Sequence, residues 1–183
     1  MIDSIFSLFD TFGSEHYGEN ANQLQHALQC AKLAQDHGCE PSLIAAALLH
    51  DIGQFIDDAG NAAEKLNHDA RHEITGAAFL ARSFSPDVTE PVRLHVDAKR
   101  YLCALDPAYE AGLSGASLLS LRLQGGPMNE EEVAAFRAEP FFEQAVQLRH
   151  FDDAGKRPDW AVPGLESYRG MLQSLLREEQ LSA

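Results

Sequence analysis

Apolar side chains recur every three to four positions along most of this chain. The first such stretch predicts a helix over residues 2–12, with its apolar face formed by Ile2, Ile5, Phe6, Phe9 and Phe12. The same period predicts helices that begin at Pro41 and near Asp106 and Asn129, and others over residues 21–37, 71–82, 85–101, 113–123, 139–151 and 163–180. No alternating pattern long enough for a strand is present. We therefore predict an all-α bundle with five or more core helices.

Helix starts and breaks carry their own markers. Pro41 and Pro86 suit a first helical turn, and Ser85 and Asn129 are residues that cap helix N-termini. Polar segments predict loops, and a Gly-Gly-Pro run predicts a turn; these are residues 14–22, 57–69 and 124–127.

Length and charge narrow the class of protein. The chain has 183 residues and no internal repeat, so we predict a single domain over residues 1–183. A formal net charge of −14 argues against nucleic acid as a partner. No run is long enough to cross a bilayer, and no basic amphipathic stretch suggests a membrane surface. Three cysteines without a CxxC pair fit a reducing compartment, and we predict a cytoplasmic location.

A His-Asp pair ends the apolar run of residues 43–49. The nitrogen of His50 and the carboxylate of Asp51 together suit ions such as iron, zinc or manganese. A single buried His-Asp pair is more often a hydrogen-bonded core couple. Other predicted helices, however, carry further residues of the same types, namely His26, His72, His95 and Asp152. Jointly these residues predict a metal centre.

The number of ligands favours two ions. His26, the His-Asp pair and Asp152 would complete one metal site. His72 and His95 bring the set to six, too many for one ion that keeps an open position. Two ions bridged by Asp51 account for the number.

Three polar residues share predicted helix faces with these ligands. Gln54 lies four residues after His50, Lys99 four after His95, and Arg149 three before Asp152. The positively charged side chains of Lys99 and Arg149 could therefore point into the metal cavity. Ordinary surface charges are the alternative interpretation.

The ligand pattern resembles a known superfamily. His26, His50-Asp51 and Asp152 resemble the H…HD…D pattern of HD domains, and the two further histidines resemble its six-ligand, two-metal subset. That subset contains both hydrolases and mixed-valent diiron oxygenases typified by myo-inositol oxygenase. Four stretches are similar to the glycine-forming 2-amino-1-hydroxyethylphosphonate dioxygenases, namely residues 23–30, 46–53, 95–102 and 124–128. This likeness runs from about residue 17 to residue 156.

The resemblance implies roles for individual residues. The six ligands would hold two irons, Fe(II)/Fe(III), with O₂ as co-substrate. Lys99, Arg149 and Ser117 would meet the phosphonate, and Lys99 would be catalytic together with Glu19. Tyr17 and Glu19 would cover the site, with Glu19 occupying the open iron position until substrate arrives. Gln54 stands where the family pattern has a histidine that contacts substrate; it can hydrogen-bond but carries no charge.

The function implied is oxidative cleavage of a carbon–phosphorus bond. The substrate would be a 1-hydroxy-2-aminoethylphosphonate with a primary or trimethylated amine, releasing phosphate and glycine or glycine betaine. An upstream hydroxylase would supply this substrate. The alternative is a metal-dependent HD phosphohydrolase acting on a nucleotide or a phosphate monoester. A third interpretation is a metal-stabilised regulatory or binding module.

Overall fold

α-Helices and 3₁₀ helices account for the regular structure of the described chain. The computed structural model describes residues 1–16, 21–61 and 69–177. The α-helices are α1 Ile2–Phe12, α2 Gln23–Asp36, α3 Pro41–Leu49, α4 His72–Leu80, α5 Pro86–Leu105, α6 Pro107–Ala111, α7 Gly115–Leu123, α8 Glu130–Arg137, α9 Phe142–Ala154 and α10 Arg169–Ser174. The 3₁₀ helices are Ile52–Asn61 and Leu165–Tyr168. Within these described ranges the only β-type pairing is one isolated bridge, Phe84 with Leu176. The all-α prediction is confirmed.

The predicted helix starts follow the capping rules, with one exception. Asn129 and Glu132 form a capping box, in which the side chain of each residue accepts a hydrogen bond from the backbone N–H of the other. Pro41 and Pro86 occupy first turns, as predicted. Ser85 stands at the N-cap of α5, but its hydroxyl donates to Asp87 at 3.2 Å and makes no side-chain cap bond.

Two predicted boundaries are wrong. Residues 57–61 of the predicted loop belong to the 3₁₀ helix Ile52–Asn61. The helix predicted over residues 163–180 is a 3₁₀ turn followed by the short α10, because the backbone N–H of Arg177 donates to the carbonyl of Ser83 at 2.9 Å and so leaves the helical pattern. Residues 178–180 lie outside the described residues. The single domain over residues 1–183 stays a prediction.

Helix α3 lies at the centre of the core. Every residue from Leu43 to Leu49 is buried, as the unbroken apolar run predicts. Helices α2, α5 and α9 pack around it. Helix α5 also contributes to a second apolar cluster, which contains Leu94, Ala98, Tyr101, Met128, Phe136 and Ala145. The helices α2, α5 and α9 carry three of the predicted metal ligands, namely His26, His95 and Asp152.

The predicted Gly-Gly turn is confirmed and is attached to α5. Gly125 and Gly126 have φ values of 99° and 75°, which side chains rarely tolerate. Arg100 donates through Nε to the Gly126 carbonyl at 2.9 Å, and Met128 donates its backbone N–H to the Arg100 carbonyl at 3.2 Å. These bonds fix α7 relative to α5. No helix in the described ranges is both long enough and apolar enough to span a membrane.

Candidate metal centre

The six predicted metal ligands meet in one place. They come from α2, the end of α3, the first residue of α4, α5 and α9. The Nε2 atoms of His26 and His50 are 3.2 Å apart, and those of His72 and His95 are also 3.2 Å apart. The rings of His50 and His95 are 5.2 Å apart between centroids, so the two pairs form one continuous cluster.

Asp51 lies between the two histidine pairs and offers one oxygen to each. Its Oδ2 is 3.8 Å from Nε2 of His26 and 3.6 Å from that of His50. Its Oδ1 is 3.2 Å from Nε2 of His72 and 3.7 Å from that of His95. This is the arrangement of a bridging carboxylate and agrees with the bridging role predicted for Asp51.

Asp152 joins the first pair only. Its Oδ1 is 3.4 Å from Nε2 of His26 and 3.9 Å from that of His50. Ligand atoms that surround one ion at about 2.1 Å lie roughly 3.0 to 3.4 Å from one another, so the cluster is close to the dimensions of a metal site. The first set therefore has four protein ligands, and the second set has three, namely His72, His95 and Asp51. The second set leaves more positions for exogenous ligands.

Cys30 lies close to the first set without displacing a ligand. Its sulfur is 3.6 Å from Nδ1 of His26 but 4.0 Å from Nε2, and it donates towards the carbonyl of Phe151 at 3.5 Å. Asp152 approaches Nε2 more closely. The carboxylate is therefore the better fourth ligand, and Cys30 packs against the back of the imidazole.

Backbone carbonyls orient three of the four imidazoles. Nδ1 of His26 is 2.9 Å from the carbonyl of Gly155, Nδ1 of His50 is 2.9 Å from that of Ala47, and Nδ1 of His95 is 2.7 Å from that of Val92. A proton on each Nδ1 leaves the Nε2 lone pair directed at the centre. The fold thus selects the tautomer that binds metal.

The pKa shifts within the cluster indicate that its carboxylates are stabilised by nearby positive charge. Burial lowers the pKa of His95 well below its usual range. Burial would raise the pKa of Asp51, but His50 and His72 hold it well below its usual range. Burial would lower the pKa of His72, yet Asp51 raises it, so a proton bound there supplies charge that a metal ion could supply instead.

The backbone around His72 is closely packed and locally strained. Arg71, directly before it, has φ 50° and ψ 46°, in the left-handed region that favours glycine. A Cβ added at Gly53 would lie 1.9 Å from the His72 carbonyl oxygen. Glycine two residues after the bridging Asp51 is therefore required for α4 to approach.

Arg149 is held beside the first ligand set by acidic and phenolic groups. Its Nη1 is 2.7 Å from Oδ2 of Asp152, it also pairs with Asp153, and its Nε donates to the hydroxyl of Tyr109 at 3.0 Å. Burial would lower the pKa of Arg149, but Asp152 and Asp153 keep it charged. The prediction that Arg149 shares a face with Asp152 agrees with this contact.

Two lysines lie against serine hydroxyls near the same aspartate. Lys99 donates to Ser120 Oγ at 2.8 Å, and Lys156 donates to Ser117 Oγ at 3.1 Å. Lys156 Nζ is also 3.7 Å from Oδ1 of Asp152. Burial, followed by the charge of Arg149, lowers the pKa of Lys99 to about 7. Lysine, arginine and serine donors thus collect on one side of the ligand cluster.

The remaining predicted site residues have different outcomes. Gln54 is half-buried, but α3 ends at Leu49 and the chain continues as a 3₁₀ helix, so the α-helical spacing argument that paired Gln54 with His50 is wrong. Tyr17 and Glu19 lie outside the described residues, and their proposed covering role stays a prediction.

The sequence reasoning missed Lys156, Ser120 and Tyr109. Lys156 lies four residues after Asp152, the spacing that pointed to Lys99 from His95, so the same rule would have found it. Ser120 follows Ser117 by nearly one helical turn. Tyr109 contacts Arg149 across helices, and no local spacing reveals such a contact.

Comparison with protein families agrees with the geometry. The HD-domain model matches residues 24–139, which include five of the six ligands; Asp152 lies beyond the matched range and is placed by the structure. The chain therefore belongs to the HD-domain family.

Three relatives are similar to this chain over nearly its whole length. A protein named hydroxymethylphosphonate dioxygenase from Gimesia maris is 44% identical, over 96% of this chain and 88% of the relative. A protein of Leisingera caerulea is 42% identical, over 96% of this chain and 90% of the relative, and is named [1-hydroxy-2-(trimethylamino)ethyl]phosphonate dioxygenase (glycine-betaine-forming). An uncharacterised protein of Acanthamoeba polyphaga mimivirus is 34% identical, over 97% of this chain and 82% of the relative. Within the HD-domain family, the chain thus falls among the phosphonate dioxygenases.

The two ligand sets should lose iron separately. In protein loaded with ferrous iron under anaerobic conditions, His95→Ala should retain about one ion per chain, since the set around His26 stays intact. His26→Ala should also retain about one, from the other set. His37→Ala, a change at an exposed histidine, should keep the wild-type content of two. Iron analysis after gel filtration measures this, and one ion per wild-type chain would contradict the two-metal centre.

Lys99 should impose a pH dependence on the stability of the metal-free protein. The folded lysine releases its proton above about pH 7, whereas the unfolded one retains it up to a pKa near 10.5. Between these values the unfolded state binds the extra proton, so the free energy of unfolding gains up to ~1.4 kcal/mol per pH unit from this group. Lys99→Met should lack this gain in urea unfolding at pH 7.5, 8.5 and 9.5. Equal slopes for the two proteins would contradict the buried, deprotonating lysine.

Proposed function

We propose that this protein is an iron-dependent dioxygenase that cleaves the carbon–phosphorus bond of a 1-hydroxyalkylphosphonate. The observation that carries the proposal is the six-ligand centre with Lys99, Arg149 and Lys156 on one side. The names of the two phosphonate dioxygenases support the same reaction class.

The donor set fits a pair of iron ions. Imidazole nitrogens and carboxylate oxygens are typical ligands of non-haem iron, and the bridging position of Asp51 suits two adjacent ions. Irons bound here would supply the redox chemistry with O₂. The set of three ligands around His72 and His95 has the open positions that such chemistry needs.

The charges around the centre suit a phosphonate. Asp51, Asp152 and Asp153 bring three negative charges, and the three nearby cations can balance them. The positive charge of bound metal would then remain uncompensated and attract a dianion. Arg149 is already paired with two carboxylates. Lys99 and Lys156 each donate to a serine hydroxyl, and Lys156 is a further 3.7 Å from Asp152, so the two lysines are better placed to exchange a serine for a phosphonate oxygen.

Lys99 and Lys156 would hold the phosphonate during a four-electron oxidation. One O₂ reacts with one substrate: the C–H and C–P bonds of the hydroxyl-bearing carbon break, that carbon becomes a carboxylate, and phosphorus leaves as phosphate. Both oxygen atoms of O₂ appear in the products, so no further reductant is consumed. Lys99, with a pKa lowered to about 7, can gain or lose a proton beside the leaving phosphate.

The far end of the substrate distinguishes the possible phosphonates. We favour a 1-hydroxy-2-aminoethylphosphonate, with a primary or trimethylated amine, and glycine or glycine betaine as product. The names of the relatives include a trimethylamino substrate and a hydroxymethyl substrate without an amine. An upstream hydroxylase would supply the 1-hydroxy group in each case.

Oxygen dependence tests the proposed reaction. Iron-loaded protein should release phosphate from 1-hydroxy-2-aminoethylphosphonate, its N-trimethyl derivative or hydroxymethylphosphonate, with one O₂ consumed per phosphate. Under anaerobic conditions phosphate should not appear, because a phosphonate has no ester oxygen for a metal-bound hydroxide to displace. An oxygen electrode combined with a phosphate assay measures both. Release of phosphate from a nucleotide or phosphate monoester at equal rates with and without O₂ would instead identify a phosphohydrolase.

Lys156 provides a test of the anion site. Lys156→Met should leave the iron content unchanged and lower kcat/KM 10- to 100-fold, since a charged hydrogen bond contributes about 1.5–3 kcal/mol. Lys32→Met, which removes a partly exposed lysine paired with Asp36, is the matched control and should retain wild-type turnover. Steady-state kinetics on the phosphonate that turns over fastest provide the measurement. Wild-type kcat/KM in Lys156→Met would contradict this part of the assignment.

A further inference from the structure

His72 is oriented differently from the other ligand histidines. The Nδ1 atoms of His26, His50 and His95 each lie within 2.9 Å of a backbone carbonyl oxygen. In the described part of the chain, Nδ1 of His72 faces a carboxylate instead, with Glu73 Oε2 at 3.8 Å. This distance is suitable for an ion pair but long for a hydrogen bond.

Glu73 is itself an anomaly. It is only 7% exposed, and among the described residues its Oε2 has no hydrogen-bond partner. A buried carboxylate oxygen without a partner costs stability, so its presence next to a metal ligand calls for an explanation. The exposed Glu143, by contrast, is a carboxylate that water can solvate.

We propose that Glu73 is a positioning residue for His72, and that the two complete a carboxylate–histidine–metal relay at the second ligand set. A metal on Nε2 requires the His72 proton to be on Nδ1, where Glu73 is the acceptor at hand. A small rotation of either side chain would let this Nδ1–H donate to Glu73 Oε2, which has no hydrogen-bond partner among the described residues. This inference rests on the two-metal centre of the proposed function.

The surrounding backbone brings these two groups together. Gly53 packs against the His72 carbonyl and fixes where α4 begins. Arg71 adopts a left-handed conformation, and its N–H donates to Oδ1 of Asp69 at 3.1 Å. Backbone strain of this kind is retained where the surrounding structure requires it. Here it precedes the one ligand histidine that has no backbone carbonyl against Nδ1 among the described residues.

A purely structural role for Glu73 makes a different prediction. Glu73 lies in the first turn of α4, where a negative charge interacts favourably with the helix dipole. If that were its whole role, Glu73→Gln and Glu73→Leu would lower stability alike and leave metal affinity unchanged. A positioning role requires an acceptor, which glutamine retains and leucine lacks.

Competition for ferrous iron separates the two roles. Each purified variant is loaded anaerobically with Fe(II) and titrated with a chelator while the iron that remains bound is measured. Glu73→Leu should bind the ion of the second ligand set 10- to 100-fold less tightly than wild type, and the affinity of Glu73→Gln should fall between the two. The ion that His26, His50 and Asp152 contact should be unaffected. Glu143→Leu, on an exposed carboxylate of α9, should match wild type.

Thermal unfolding in excess chelator provides the second readout. Without metal, Glu73→Leu should be at least as stable as wild type. It removes a buried carboxylate whose Oε2 has no hydrogen-bond partner among the described residues, and His72 still has Asp51 as its ion-pair partner. A lower iron affinity together with undiminished metal-free stability supports the positioning role. Unchanged iron affinity in Glu73→Leu, or an equal loss of affinity in the glutamine and leucine variants, would overturn it.

The same titration distinguishes a failure of the Glu73 inference from a failure of the proposed two-metal centre. If wild-type protein holds a single iron, the two-metal centre fails and the role of Glu73 fails with it. If wild-type protein holds two irons and Glu73→Leu holds both with equal affinity, only the inference about Glu73 is wrong.

Discussion

The shared carboxylate of Asp51 constrains the rest of the architecture. Its two oxygens face opposite histidine pairs, so the helices that carry those pairs must approach it from both sides. Helix α3 has to end just before it, and the next turn needs Gly53 so that the start of α4 can pack against that turn. The buried apolar run of α3 fixes this junction in the close-packed core and so holds Asp51 in position.

The junction around Asp51 also buries several ionisable groups. Two carboxylates and four imidazoles are largely removed from water. Burial would lower the pKa values of His72 and His26, but Asp51 raises that of His72, and Cys30 and Asp152 raise that of His26, so both imidazoles favour holding a proton. Bound cations would relieve this arrangement and release those protons. Arg149 pairs with Asp152, while Lys99 donates to Ser120, and Lys156 donates to Ser117 and lies 3.7 Å from Oδ1 of Asp152.

The sequence predicted those features that depend on periodicity and residue chemistry. The unbroken run before His50 and the Asn129 cap follow from local rules, and the six donor residues, selected by residue type, lie in one cluster. The wrong predictions concern features that depend on tertiary contacts. The chain after Asp51 forms a 3₁₀ helix, so α-helical spacing does not apply to Gln54. The last helix is shorter than predicted because the backbone of Arg177 pairs with that of Ser83. Tyr109 was missed for the same reason, since it reaches Arg149 from another helix.

The distribution of roles over the fold explains how such a centre could serve different substrates. Most of the candidate metal ligands and Lys99 lie on packed helices, Lys156 follows the end of α9, and both lysines donate hydrogen bonds to serines of α7. In the proposed function these two lysines would bind the phosphonate group that the proposed substrates share. Other groups, such as Gln54 on the 3₁₀ helix, would then contact the far end of the substrate, and exchanging a neutral amide for a charged or smaller side chain there would alter selectivity without disturbing the metals.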